Sequence, residues 1–417
     1  MPSPWLWRQG EKPLQRKVRR GSIVCLWGQI KMEYGGMAGN NNIVENLLNE
    51  VALPDVLRDQ VRPGLAAALA SLAREQGLKD DGRGRAIAQF QNNLSRLAAI
   101  AADRLRYPEI AEVKIERPVF ILGLPRCGTS LLHALIGTDD NVRTPMSWEV
   151  AAPSPPPEAA TFRSDPRAAA FDKYVDENFV GPLAEVRKAH PIGAWIPQEC
   201  GMILETSFQS LNLPMLFRLR DYYQWYLNAN TVFAYQVHKM WLQHLAWRNP
   251  RARWVLKVQE HAYHIPELLS VYPDAMFVQP HRDPVTVLAS ISRLLESLRS
   301  MVFARQDRAE LGEELLHLWH DGQVKMMAQR AAHPDMPMYD LRYKDISRDP
   351  VGAVQGIYDF AGIAFSSETA AGITQWLAAN PADKHGRHTY TLEDYGLTGA
   401  RVRDVYNDYI QAYKDYI

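Results

Sequence analysis

The sequence predicts an α/β protein: a three-layer fold around a central parallel sheet, with a separate helical region before it. Three observations carry this expectation. Short apolar runs at about 118–123, 252–257, 275–280 and 337–342 read as strands. Helical patterns separate them, the alternation expected of βαβ units. Two of the runs pass directly into a Gly-containing or basic turn that opens a helix, and ligands of such sheets bind at the C-terminal ends of the strands.

In chain order, residues 1–36 stand apart. They are basic (Arg8, Lys12, Arg16, Lys17, Arg19, Arg20), and their apolar run from Ile23 to Trp27 is too short for a secretory core. A disordered extension is expected, with Met37 as an alternative start and a basic targeting arm as the functional alternative. Residues 37–115 read as a helical region. Apolar residues recur at spacings of three and four in Ile43, Leu47, Leu48 and Val51, in Val61, Leu65, Leu69 and Leu72, and in Ile87, Phe90, Leu94 and Leu97. Pro54, Pro63 and the turn from Lys79 to Gly84 punctuate the pattern. These helices are expected to pack on the catalytic domain, at 116–417, or to line a substrate entrance.

Composition bounds the function without naming it. The 417 residues, 47% hydrophobic, suffice for a large α/β domain and a smaller helical one. The 47 basic and 47 acidic side chains balance, so no global field draws nucleic acid or an anionic membrane. Three cysteines, Cys25, Cys127 and Cys200, are too few and too scattered for a disulfide framework or a structural zinc site, which fits a reducing, cytoplasmic setting. No apolar run reaches membrane-spanning length, so no stable membrane insertion is expected.

The most informative stretch is Phe120-Ile-Leu-Gly-Leu-Pro-Arg-Cys-Gly-Thr-Ser-Leu-Leu132. An apolar strand runs into a loop where Gly123 and Gly128 permit tight turns. Gly128, Thr129 and Ser130 then place N–H groups and hydroxyls at a helix N-terminus, which favours an anion. The glycine spacing matches the start of a Walker A loop, but Thr129 stands where that motif needs Lys. The cation lies inside the loop, at Arg126.

Pro125 to Ser130 resemble, position for position, the 5′-phosphosulfate loop of sulfotransferases that use 3′-phosphoadenosine 5′-phosphosulfate (PAPS). The resemblance continues downstream in order. Arg282, after the run Ala275 to Pro280, and Ser290, eight residues on, have the spacing with which the family holds the 3′-phosphate. A guanidinium fork, a hydroxyl and a helix N-terminus suit a dianionic phosphate, while Asp283-Pro284 also reads as an ordinary helix start. Tyr343 resembles the residue near adenine. Lys384, Gly386 and Arg387, with His388 less secure, resemble the loop that closes over the 3′-phosphate. The chain departs from cytosolic members at Leu131, where those carry a Trp that stacks on adenine.

The resemblance implies a P-loop-like fold and sulfuryl transfer from PAPS to a hydroxyl, leaving adenosine 3′,5′-bisphosphate. Cofactor contacts would fall to Pro125, Arg126, Cys127, Gly128, Thr129, Ser130, Arg282, Ser290, Tyr343, Lys384, Gly386 and Arg387. Arg126 would stabilise charge on the leaving oxygen, and no metal is required. For the general base the resemblance ranks Glu149 first, His190 second and Glu199 third. Lys257, at a strand end, would touch cofactor or acceptor. The aromatic-rich segment 205–247 suggests an apolar pocket wall and a small apolar or phenolic alcohol as acceptor, though core packing explains those rings equally well. The rigid run Ala152 to Pro157 would shape the acceptor mouth, and a homodimer is compatible with this reading. A P-loop kinase using ATP and an inactive nucleotide-binding scaffold stay open as alternatives.

Overall fold

A computed structural model describes residues 40–189, 191–381 and 391–417. Residues 1–36, His190, Lys384, Gly386, Arg387 and His388, all singled out above, lie outside the described residues.

Three helices come first: α1 (Asn40–Asn49), α2 (Asp55–Arg74) and α3 (Gly82–Arg106). Pro54 precedes α2, but α2 runs through Pro63, where a break was expected. Pro63 lies on the exposed face, so water can reach the Asp59 carbonyl that lacks its usual donor. The next residue, Gly64, faces the core. A Cβ added there would lie 2.1 Å from the Phe208 carbonyl oxygen, so glycine is what lets α2 pack so close to that turn.

The strands are β1 (Val119–Ile121), β2 (Val142–Arg143), β3 (Arg253–Lys257), β4 (Met276–His281) and β5 (Met338–Arg342). They form one five-stranded sheet in the order β2-β3-β1-β4-β5. Every pairing is parallel. The two-residue β2 went unforeseen because so short a segment shows no periodicity; it exists through pairing with Arg253 and Trp254 at the sheet edge.

β1 is central and wholly buried, which explains its uninterrupted apolar run. Alternate side chains serve opposite faces. On one face Phe120, Leu256 and Phe277 pack with Leu242, Leu245, Ile265 and Leu268. On the other, Val119, Ile121, Val255 and Val278 pack with Leu132 and Leu135 of α4 (Thr129–Ile136) and with Val354 and Ile357. The result is a three-layer α/β fold. A third core joins α1, α2 and α3 to Phe208, Phe217, Leu288 and Trp319, so the N-terminal helices are seated beside the C-terminal ends of the strands. Among the described residues no helix is long and apolar enough to cross a membrane.

Candidate active site

The loop between β1 and α4 is held in a conformation most residues avoid. Gly128, the N-cap of α4, has φ 86°, and a Cβ there would meet Ile346 and Tyr343 at 3.2 Å. No side chain caps α4, so its first N–H groups and their partial positive charge remain for an anion. Arg126 sits at φ 63°, a left-handed geometry unfavourable for a non-glycine residue. Two contacts hold it there. Arg282 Nη1 donates to the Arg126 carbonyl at 2.8 Å, and Arg126 Nε donates to Ser290 Oγ at 3.1 Å. The Arg282 guanidinium also lies 3.9 Å from the centre of the Tyr343 ring. Arg126, Arg282, Ser290 and Tyr343, distant in sequence, therefore surround one loop.

The other loop residues divide between site and core. Ser130 Oγ accepts from Lys257 Nζ at 3.1 Å, and Thr129 Oγ1 accepts from Gln259 Nε2 at 3.2 Å. Cys127 turns its thiol inward, where burial pushes its pKa up to about 12. Its side chain is thus a neutral packing group rather than a nucleophile.

Two cavities meet at this loop. The smaller, about 240 Å³, is lined by Arg126, Lys257 and Arg282 together with Gly128, Thr129 and Ser130. Tyr343 and Trp376 supply its aromatic surface. His133 also reaches its wall, where burial lowers the imidazole pKa to about 3 and keeps it neutral. The larger cavity, about 250 Å³, has a mainly apolar wall that includes Phe171, Phe179, Leu294 and Leu298. Arg126, Ser130 and the stretch from Ile196 to Pro197 border both.

The candidate bases fall in different places. Glu149, ranked first, is not brought to either cavity. It is fully buried, with Arg143 Nη1 donating to its Oε2 at 2.8 Å, Arg143 Nη2 bonded to its Oε1, and the Met146 N–H donating at 3.0 Å. Those donors occupy both oxygens and make Glu149 a buried brace for the short helix Ser147–Ala151. Glu199, ranked third, lines the larger cavity. Its carboxylate pairs with Lys257, which lines the smaller one, so the ion pair spans the border between them.

Of the two readings of the aromatic segment, core packing accounts for most of its rings. Phe208, Phe217, Tyr222, Tyr226, Phe233, Tyr235 and Trp241 are buried in the core, while Asn212, Met215 and Leu216 of the same stretch reach the cavity. Amphipathic helices turned their rings inward. The run Ala152 to Pro157 is absent from both linings. Lys257 was legible as a basic strand end. Trp376, Gln89 and Trp319 were not, since nothing local ties them to a site assembled from remote elements. Among the described residues no cluster of His, Cys, Asp or Glu is arranged to hold a metal ion.

Comparison with known proteins agrees with this geometry. The model of the Sulfotransferase family matches residues 118–367. A curated relative, the omega-hydroxy-beta-dihydromenaquinone-9 sulfotransferase Stf3 of Mycobacterium bovis, is 24% identical over 314 residues, covering 72% of this chain and 77% of the relative. The crystal structure of sulfotransferase STF9 from Mycobacterium avium is similar at a TM-score of 0.78 and 25% identity, over 91% of this chain and 98% of that one. Sulfotransferase STF1 from Mycobacterium tuberculosis H37Rv gives 0.77 and 28%, over 89% and 99%. With a strand, loop and helix of the expected kind inside the matched span, and bacterial sulfotransferases as structural neighbours across nearly its whole length, the chain belongs to the sulfotransferase family.

Proposed function

We propose that the chain transfers a sulfuryl group from PAPS to the hydroxyl of a small, mainly apolar acceptor. The observation that carries this reading is the border between a cationic cavity and an apolar one, marked by Arg126 and Ser130 and spanned by the Glu199–Lys257 pair. The smaller cavity suits the donor: three cationic side chains, the uncapped N-terminus of α4 and two aromatic rings match phosphates linked to a base. When bound, PAPS supplies an activated sulfuryl group whose leaving group is the 5′-phosphate.

In this scheme Thr129, Ser130 and the first N–H groups of α4 hold the 5′-phosphate. Arg282 and Ser290 hold the 3′-phosphate. Arg126 keeps its proton at any working pH and stabilises negative charge on the departing oxygen. Glu199 takes the proton of the acceptor hydroxyl, and Lys257 fixes the orientation of that carboxylate from the donor side. The apolar wall of the larger cavity favours an alcohol with a hydrocarbon body. The name of the curated relative, whose acceptor is a hydroxylated menaquinone, supports that class.

Calorimetric titration with adenosine 3′,5′-bisphosphate, and separately with ATP and magnesium, tests the donor. Wild-type protein should bind the bisphosphate without metal, and Arg282→Ala should weaken that binding at least about tenfold. A preference for ATP with magnesium would refute the proposal.

A further inference from the structure

Arg282 follows directly on His281, the last residue of β4, and the His281 ring is held at both nitrogens and on one face. Its Nε2 donates to Asp340 Oδ1 at 2.7 Å, and the Tyr409 hydroxyl donates to its Nδ1 at 2.9 Å. The Tyr413 ring stacks on the imidazole with centres 4.2 Å apart. Burial lowers the His281 pKa and keeps the ring neutral, with a single N–H. That proton serves the Asp340 carboxylate, so Nδ1 is the acceptor and the phenol must be the donor.

These tyrosines come from a remote part of the chain, Tyr409 being 128 residues from His281. Tyr406, Tyr409 and Tyr413 recur at spacings of three and four on and beside the short helix Asn407–Ala412, which puts them on one face. Tyr406 and Tyr409 are 0% and 1% exposed, in the core that also holds Leu124 and Cys127 of the β1–α4 loop. Arg330, which donates to both Asp340 oxygens, lies 5.4 Å from the centre of the Tyr413 ring. None of the three tyrosines lines either cavity, so any effect on a ligand passes through another residue.

Neighbouring side chains of an extended strand point to opposite sides. Fixing the His281 ring on one side therefore sets the peptide that sends Arg282 to the other. There Arg282 meets the Arg126 carbonyl at 2.8 Å and the Tyr343 ring at 3.9 Å. A guanidinium that must match phosphate oxygens with its fork tolerates little displacement.

Resting on the reading of the smaller cavity as the PAPS site, we infer that Tyr409, aided by Tyr413, is a positioning residue for PAPS: through His281 it holds Arg282 in register with the 3′-phosphate. The helix Asn407–Ala412 thereby belongs to the cofactor site without touching the cofactor.

The test is calorimetric titration of adenosine 3′,5′-bisphosphate into wild type, Tyr409→Phe, Arg282→Ala and the double variant, with Tyr413→Leu as a second probe of the same ring. Tyr409→Phe keeps the buried ring and removes only the hydroxyl. It should weaken bisphosphate binding at least about threefold, the size expected of one buried hydrogen bond. In the Arg282→Ala background it should add nothing, because the residue it acts through is gone. Steady-state kinetics should show a raised KM for PAPS with the KM for an acceptor alcohol unchanged. Wild-type affinity in both Tyr409→Phe and Tyr413→Leu, or an equal loss with and without Arg282, overturns the inference. Failure of the wild type to bind the bisphosphate overturns the PAPS-site reading beneath it.

Discussion

At the scale of single residues, the contrast between Glu149 and Glu199 shows how neighbours assign a role to a carboxylate. Glu149 has its strongest partner, Arg143, six residues away, and both are sealed from solvent. Glu199 has its partner, Lys257, 58 residues away and keeps one edge on a cavity. Glu199→Gln should lower kcat per folded molecule by about 10²–10⁴, measured with saturating PAPS and an acceptor alcohol. Glu149→Ala should destabilise the protein by about 3 kcal/mol in urea titration, because it strands a buried guanidinium, while turnover per folded molecule persists. The reverse pattern would return the base to Glu149.

At the scale of elements, the β1–α4 loop and the end of β4 must hold their shapes together. Gly128→Ala should weaken binding of adenosine 3′,5′-bisphosphate while the sheet stays folded, since φ 86° strains any L side chain and the added methyl group, 3.2 Å from Ile346 and Tyr343, must push those side chains aside. β4 is tied to β5 just before Arg282: His281 Nε2 donates to Asp340 Oδ1 at 2.7 Å, and Arg330 donates to both Asp340 oxygens at 2.7 Å. Burial alone would raise the Asp340 pKa, but the Arg330 and His281 hydrogen bonds outweigh it and hold it at about 2, below the ordinary 3.8. A carboxyl depressed in the fold adds stability above its unfolded pKa and loses it as pH falls through the folded one. The contribution of about 2 kcal/mol should therefore be complete at neutral pH and vanish between roughly pH 4 and pH 2. Asp340→Asn should flatten that acid limb in unfolding experiments, and an identical limb would show that the cluster plays no such part.

At the scale of the whole molecule, the smaller cavity lies against Lys257 and Arg282 at the ends of β3 and β4, and the larger one takes Gln89 from α3. The two cavities share border residues such as Arg126 and Ser130, yet their remaining walls come from different elements. Adenosine 3′,5′-bisphosphate and an acceptor alcohol should accordingly bind together. Titration of the alcohol into protein saturated with the bisphosphate should give an affinity within about threefold of that without it. Strict competition would mean that the two cavities act as one site.

Four of the five strands and the β1–α4 loop were legible because their signals are local: uninterrupted apolar runs for buried parallel strands, and glycine with hydroxyls where a helix starts. The spacing of Arg282 and Ser290 spans one strand end and two turns of one helix, so it too survives in the linear text. Which carboxylate lines a cavity and which aromatic rings are core were decided only by tertiary packing. Each depends on partners brought from remote elements, and a side chain's burial and hydrogen bonds are properties of that meeting rather than of its neighbours in sequence.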